Sequence, residues 1–244
     1  MKRIIIALTF LLLPALGFAS GGVELQKAYN DIRNTASLQN GAKLYMNYCA
    51  GCHSLNFMRY QRIADDLGLT AEQVQLLIFD PEKKIGSMMT TSMDPNDATA
   101  WFGKAPPDLS VISRSRGTDW LYSYMTSFYV DESRPTGVNN LHFVDVGMPH
   151  VMWDQQGMQK AVYHTEKDAN GHEHQVFSHL EPEDKAKNEA YKAQVLDLVN
   201  FLEYVGEPGK VKRLDLGWKV ILFFFIMSIL AFWMKKEFWK DVPH

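Results

Sequence analysis

Five consecutive residues, Cys49-Ala50-Gly51-Cys52-His53, have the types and spacing for chemistry. The Cys-x-x-Cys-His pattern is the attachment signature of c-type haem. In a helix, Cys49 and Cys52 lie three positions apart on one face, where both thiols could reach the two vinyl groups of a porphyrin. The imidazole of His53 could then bind the iron as its proximal ligand. The pattern predicts one covalently attached haem, a cofactor typical of electron transfer.

Two other uses of a cysteine pair fit this sequence less well. A closed zinc site needs four ligands, usually from two clusters, but Cys49 and Cys52 are the only cysteines and no His pair at the usual spacing follows them. A thioredoxin-like dithiol normally lies in a βαβ unit, which the flanking sequence does not predict. The adjoining His53 and an export signal both favour haem.

The first residues of the chain have the features of a secretory signal. Met1-Lys2-Arg3 is basic, residues 4–16 are apolar, and small residues follow up to Ala19 and Ser20. This order is typical of a cleavable signal peptide, here residues 1–19. An uncleaved anchor fits less well because the apolar run is short and contains Pro14. The domain that follows is therefore expected outside the cytoplasm, where bacteria attach c-type haem.

A second apolar run lies near the C-terminus. Leu214 to Met234 comprises 21 residues, about 31 Å as a helix, which is enough to cross a bilayer. Trp218 and Trp233 lie near its ends, as interfacial aromatics do. Basic residues on both sides argue against a buried core helix. Because both flanks are basic, their charge does not decide the orientation of the helix, which follows instead from the export signal. The predicted organisation is a signal peptide at 1–19, an exported domain at 20–210, a transmembrane helix with flanks at 211–236 and a cytoplasmic tail at 237–244.

Charge is distributed unevenly along the chain. The whole sequence has a net charge of −3, but residues 20–209 contain 25 acidic and 16 basic residues, a net charge of −9. An acidic exported domain favours a positively charged soluble partner through long-range steering. Solubility alone would also explain the charge. About 190 residues is a suitable length for one domain with its own core.

The expected fold class is mainly α, with long loops around the haem. Ser37 is a candidate N-cap for a helix that leads into Cys49, and residues 195–205 form a second amphipathic stripe. Gly41 would let these two helices approach closely, with Tyr45 packing on the later one. Trp120 to Val130 is expected to be helical, and segments 80–110 and 131–150 are expected to be irregular.

A small β-hairpin is expected at residues 160–179, turning at Asn170-Gly171. Four histidines lie in it: His164, His172, His174 and His179. They could bind a metal, but exposed polar strands explain them as well.

The sixth iron ligand is less defined by the residues alone. A methionine thioether there would raise the reduction potential and suit electron transfer. The candidates are Met58, Met88, Met89, Met93, Met125, Met148, Met152 and Met158. Met148 ranks first because Gly147-Met148-Pro149 predicts a kinked loop with no regular structure against which to bury a Met; His142 and His150 are rival ligands. Arg114 and Arg116 are candidates to pair with the haem propionates.

Taken in order, these motifs resemble the cytochrome c1 family, the haem subunits of the quinol–cytochrome c reductase or cytochrome bc1 complex. The likeness covers nearly the whole mature chain and looks proteobacterial. It is carried by Gly41-Ala42-x-x-Tyr45, Cys49 to Leu55, Ala105-Pro106-Pro107-Asp108-Leu109-Ser110, Arg114-Ser115-Arg116, Gly147-Met148-Pro149-His150-Val151 and a single C-terminal anchor. A second cysteine pair and the acidic insertion of mitochondrial members are absent.

The resemblance implies specific roles for residues. Cys49 and Cys52 would attach haem c, His53 and Met148 would bind the iron, Arg116 would meet a propionate, and Pro107 would belong to a loop packed along the haem. The chain would perform no bond-making chemistry of its own. It would take an electron from the Rieske iron–sulfur protein, in a complex with cytochrome b, and pass it to a soluble c-type cytochrome.

The resemblance also implies a setting: a dimeric complex in the bacterial inner membrane, with the haem domain in the periplasm and no nucleic-acid partner. Two other functions stay open on the residues alone. One is a different membrane-anchored c-type cytochrome that feeds a terminal oxidase, and the other is a haem-based sensor with an open sixth position.

Overall fold

The computed structural model describes residues 23–167 and 171–241, which are mainly helical with three short antiparallel strand pairs. The expected signal peptide, residues 1–19, lies outside the described residues. So do Asn170 of the expected hairpin turn and the last three residues of the expected tail.

Helix α1, Thr35–Leu44, leads directly into the Cys-x-x-Cys-His motif. It continues as a wider helical turn at Tyr45–Cys49, in which the Ala50 amide donates to the Tyr45 carbonyl over 2.9 Å. The N-cap is Asn34, whose side chain accepts from the Ser37 amide. The prediction that Ser37 caps this helix was therefore wrong by one turn, because the Ser37 hydroxyl instead donates to Asp197.

Helix α8, Lys185–Gly206, packs along α1, and the two form the centre of the core. A Cβ on Gly41 would lie only 2.1 Å from the Asp197 carbonyl oxygen, so the two helices touch through backbone. The Tyr45 ring lies 5.8 Å from that of Phe201. The predicted close approach at Gly41 and the packing of Tyr45 are confirmed. The buried stripe of α8 is formed by Tyr191, Val195, Leu198, Val199, Phe201, Leu202 and Val205.

The segment after the motif is a strand followed by two short helices. Strand β1, Leu55–Arg59, pairs with β2, Met88–Met89. Between them lie α2, Tyr60–Leu67, and α3, Ala71–Gln75, which begins with a capping box formed by Thr70 and Gln73. The apolar faces of these helices join the same core as α1 and α8.

The predicted loop at residues 80–110 contains an additional helix, α4, Pro95–Phe102. The Asp94 side chain caps it by accepting from the amides of Asn96 and Asp97, and Pro95 occupies the first helical turn. An acidic N-cap followed by proline is a recognised helix start signal. The prediction that residues 80–110 are irregular throughout was therefore wrong for this helix, whose start signal is present in the sequence.

The next part of the chain carries the predicted arginines. Helix α5, Ile112–Arg116, is followed by α6, Thr118–Thr126. The predicted helix at Trp120 to Val130 is right up to Thr126, and the remainder forms strand β3, Phe128–Val130. Strand β3 pairs with β4, Val138–Asn140, and the short helix α7, Trp153–Gln156, follows later.

The predicted hairpin is confirmed as β5, Gln159–Lys167, paired with β6, Glu173–Pro182. His164 lies opposite Val176, and Glu166 lies opposite His174. Within residues 23–167 and 171–241, no group of three or more His, Cys, Asp or Glu side chains could hold a metal ion. The four histidines are exposed on these two strands and the turn that joins them.

Helix α9, Lys210–Phe238, has 29 residues and a mean hydropathy of 2.1 in its most apolar window. Its length is about 43 Å. None of that window is buried against the rest of the chain, so it is not a core helix. Among the described residues it is the helix long and apolar enough to cross a membrane. The expected single C-terminal span corresponds to this helix.

Candidate cofactor site

The cysteine motif forms one helical turn. The amides of Cys52 and His53 both donate to the Cys49 carbonyl, over 3.0 and 2.8 Å. This geometry puts two residues three positions apart on the same side of the turn, as the spacing predicts. Both thiols are free; Cys49 is buried and Cys52 is half-buried.

Burial makes both thiols weaker acids than a cysteine in water. Burial, with a smaller contribution from Cys52, raises the pKa of Cys49 to about 12. Burial also raises the pKa of Cys52. A closed zinc site needs four ligands, and in the described part of the chain no group of three or more His, Cys, Asp or Glu side chains could hold a metal ion. The zinc alternative is not supported by this turn.

The His53 ring is oriented by a backbone carbonyl. Its Nδ1 lies 2.7 Å from the Pro107 carbonyl oxygen. Because a carbonyl can only accept, Nδ1 carries the proton and Nε2 keeps its lone pair for a metal. Burial lowers the pKa of His53, against smaller opposing effects of the Pro107 carbonyl and Asp108. The imidazole is therefore held neutral, as a ligand must be.

The Pro107 carbonyl is positioned by a short strap, residues 105–110, that is bonded to strand β1. The Leu109 amide donates to the Ser54 carbonyl over 2.9 Å, and the Asn56 amide donates to Asp108 Oδ2 over 2.8 Å. These bonds hold the strap beside the motif. Pro107 thus acts on the site through its carbonyl contact with His53, a relationship across 54 positions that the sequence pattern did not predict.

Two further hydrogen bonds hold the motif from other directions. The Thr91 hydroxyl donates to the Gly51 carbonyl over 2.8 Å, and the Tyr45 hydroxyl donates to the His53 carbonyl over 2.6 Å. Thr91 follows β2, whereas Tyr45 lies in the helical turn before the cysteines. Neither role was predicted. The motif backbone is therefore tied to three separate segments.

Met148 lies in an irregular loop and is half-buried. It packs against the core, and the hydroxyl of Tyr124 on α6 donates to its sulfur over 3.3 Å. The prediction of an irregular loop is confirmed, but the expectation that nothing regular packs against Met148 was wrong. The spacing of Trp120, Tyr124 and Phe128 at i, i+4 and i+8 is the sequence signal for an aromatic row here.

The other candidates for the sixth iron ligand differ from Met148 in their burial and contacts. Met58, Met89 and Met152 are almost fully buried in the apolar core, where methionines are ordinary packing residues. The His150 ring is buried and stacked in parallel on Phe128, with 4.9 Å between ring centroids. His142 is half-buried beside β4.

The two candidate arginines have different partners. Arg114 lies 3.8 Å from Glu207, at the start of the segment that joins α8 to α9. The Arg116 guanidinium is exposed and lies 5.1 Å from the centroid of the Trp120 ring. Within residues 23–167 and 171–241, no carboxylate forms an ion pair with Arg116. It is therefore the arginine whose hydrogen-bond donors are available for an external anion.

The residues present fit a covalently attached haem. Two free thiols share one turn, a neutral imidazole follows with its Nδ1 already bonded, and a half-buried thioether is available elsewhere on the core. Thioether attachment consumes both thiols, so a buried, protonated Cys49 is compatible with it. An imidazole and a thioether are the ligand pair of haem iron in c-type cytochromes.

Comparison with known proteins agrees with this site. The sequence model of the Cytochrome C1 family matches residues 26–242. Cytochrome c1 of Allochromatium vinosum is 45% identical over 99% of this chain and 100% of its own length. The ammonia monooxygenase gamma subunit of Nitrosomonas europaea is 41% identical over 96% of each chain, and the mitochondrial cytochrome c1 heme protein of Schizosaccharomyces pombe is 28% identical over 86% of this chain and 68% of its own. The chain belongs to the cytochrome c1 family.

Proposed function

We propose that this protein is the haem-bearing electron-transfer subunit of a quinol–cytochrome c reductase, the cytochrome bc1 complex. It takes one electron from the Rieske iron–sulfur protein and passes it to a soluble c-type cytochrome. The observation that carries the proposal is the motif turn, in which two free thiols precede a histidine whose Nδ1 is committed to the Pro107 carbonyl. Family membership supports the same function.

Each site residue has a distinct task in this proposal. Cys49 and Cys52 would hold haem c through thioether bonds. His53 Nε2 and Met148 Sδ would bind the iron, and Arg116 would offer its donors to a propionate. The bound haem supplies a one-electron ferrous–ferric couple.

The surrounding residues tune and protect this centre. Cys49 is buried in the core that α1 and α8 form, whereas Cys52 is half-buried. The Pro107 carbonyl fixes the His53 ring and increases its basicity, as such outer contacts do. A thioether as sixth ligand gives a higher potential than a second imidazole would. In this role the chain is a redox relay within an enzyme complex, as its family membership supports.

The chain is proposed to be anchored by α9 in the bacterial inner membrane. The exported domain, residues 20–210, would lie in the periplasm, with the span at 211–236 and the tail at 237–244 on the cytoplasmic side. Two ion pairs at the surface link the domain to the first turns of this helix. Arg213 pairs with Glu207, and Arg33 pairs with Asp215 over 2.7 Å.

The proposed partners follow from this position. Cytochrome b and the Rieske protein would share the complex, which we expect to be dimeric. The net charge of −9 over residues 20–209 supports a basic soluble cytochrome as electron acceptor, because opposite charges accelerate encounter.

A second assignment comes from the name of the Nitrosomonas europaea relative, a subunit of ammonia monooxygenase. This name raises the possibility of a monooxygenase complex as an alternative to the cytochrome bc1 complex.

Affinity purification of the full chain from mild detergent extracts of native membranes distinguishes these two complexes. We expect cytochrome b and the Rieske protein among the co-purifying subunits, identified by mass spectrometry. Recovery of monooxygenase or terminal-oxidase subunits without cytochrome b would refute the proposed function. A reduced form that readily binds carbon monoxide would instead indicate the haem-based sensor.

A further inference from the structure

The hydroxyl of Tyr124 lies 3.3 Å from the sulfur of Met148. We infer that Tyr124 is a positioning residue for this thioether, and that its hydrogen bond raises the reduction potential of the haem. The inference rests on the proposed function, in which Met148 is the sixth ligand. It adds a residue outside the attachment motif that sets how strongly the sulfur binds iron.

The Tyr124 ring is held by neighbours on both sides. Trp120, one turn earlier on α6, stacks on it with 4.9 Å between centroids and 11° between planes. Phe128, the first residue of β3, meets it edge-on at 5.2 Å and 69°. The Tyr124 carbonyl also accepts from the Asn140 side chain over 2.7 Å. With ring and backbone both fixed, the hydroxyl has a defined direction.

The Met148 sulfur has a defined hydrogen-bond partner. Among the side chains that the structure describes, no donor other than Tyr124 reaches it. A thioether sulfur has two lone pairs, so it can accept one hydrogen bond while the second pair remains available to a metal. The two interactions therefore need not compete for the same electrons.

The hydrogen bond affects the two oxidation states unequally. A donor draws electron density from the sulfur and makes it a weaker ligand. Ferric iron depends more on electron donation than ferrous iron, so the ferric state is destabilised more and the potential rises. Outer contacts to axial ligands are an established way to tune a metal centre. No proton or electron leaves Tyr124 in this role.

The test is Tyr124→Phe in the full chain within its native membrane complex. This variant keeps the aromatic row and deletes only the hydroxyl. The reduced-to-oxidised ratio at a fixed applied potential should fall about 3- to 10-fold, a shift of about 30 to 60 mV for one electron. The near-infrared charge-transfer band between sulfur and ferric iron should persist at a changed position.

A matched control is Tyr191→Phe. Tyr191 is also a buried tyrosine, and its hydroxyl donates to the Met125 carbonyl over 3.0 Å. Its loss should affect stability and leave the potential unchanged. An equal potential in parent and Tyr124→Phe, or equal shifts in both variants, would overturn the inference. Should Tyr124→Phe lower the haem content, the potential is measured on the haem-containing fraction, and the same shift is expected there.

The inference and the proposed function fail in different ways. If Met148→Leu retains the parental near-infrared band and potential, Met148 is not the ligand and the proposed site is wrong. If Met148→Leu abolishes the band while Tyr124→Phe leaves both the band and the potential as in the parent, only the role of Tyr124 is wrong.

Discussion

Gly41 of α1 and Asp197 of α8 touch through their backbones. A Cβ at Gly41 would lie 2.1 Å from the Asp197 carbonyl oxygen and 2.6 Å from the Phe201 Cβ, closer than side chains approach. Because α1 runs into the turn that carries Cys49, this contact sets the position of both thiols relative to the core. The placement of the Cys-x-x-Cys-His motif therefore depends on Gly41.

Gly41→Ala is expected to destabilise the domain by about 1–3 kcal/mol, the usual range for an overpacked core. The added methyl group meets backbone on a neighbouring helix, which cannot rotate away. Thermal unfolding of the purified complex, followed at the haem absorption, measures the loss. Gly86→Ala is the control because nothing lies within 4 Å of its Cβ position. Equal melting temperatures for Gly41→Ala and the parent would contradict the packing.

Met148→Leu should keep the haem attached but lower its potential and open the sixth position. Leucine fills a similar volume without a sulfur lone pair, and a thioether ligand favours the ferrous state. Redox titration of membranes and carbon monoxide difference spectra check both effects. Met158→Leu, a half-buried methionine beside Phe128, should behave as the parent. Parental spectra in Met148→Leu would assign the ligand elsewhere.

Arg116→Ala should lower the potential by about 40 mV, equivalent to about 1 kcal/mol for one electron. A positive charge beside a propionate stabilises the reduced, less positive haem, so its removal favours oxidation. Arg116→Lys should recover part of the shift. Arg114→Ala provides the comparison, because Arg114 is paired with Glu207. A larger shift for Arg114→Ala would exchange the roles of the two residues.

Asp119 should contribute to stability in a pH-dependent way. Its carboxylate accepts from Lys27 over 2.8 Å and from the Ala28 amide over 2.9 Å, and these contacts lower its pKa below the ordinary 3.8. A lowered folded-state pKa gives stabilisation that is present above pH 3.8 and disappears as the pH falls through the folded value. Unfolding midpoints of the parent and Asp119→Asn should therefore differ near neutral pH and converge in acid. A constant difference across that range would exclude this linkage.

The parts predicted from sequence were those with local signals. The Cys-x-x-Cys-His spacing predicts a turn with both thiols on one side. The hairpin was predictable because Asn-Gly, here Asn170-Gly171, is a common turn pair between two strands. The approach at Gly41 was predictable because a small residue on an amphipathic helix suggests a helix contact. Helix α4 also has a local signal, because Asp94-Pro95 is a helix start pair even though the surrounding composition is typical of a loop.

The parts missed depend on contacts between distant residues. Nothing near His53 in sequence indicates that the Pro107 carbonyl orients its ring, since 54 positions separate the two. The hydrogen bond from Tyr124 to Met148 spans 24 positions. Serine favours the N-cap position, and this local preference underlies the prediction at Ser37. Tertiary bonding to Asp197 decided its role instead, and Asn34 took the cap.

The central claim is a haem bonded to Cys49 and Cys52, and intact-mass spectrometry of the purified, denatured chain after acidified-acetone extraction tests it most directly. The account predicts a single species with the mass of the mature polypeptide plus one haem, which Cys49→Ser combined with Cys52→Ser reduces to the bare polypeptide. A parental chain with the mass of unmodified polypeptide, or haem recovered in the acetone phase, would contradict it.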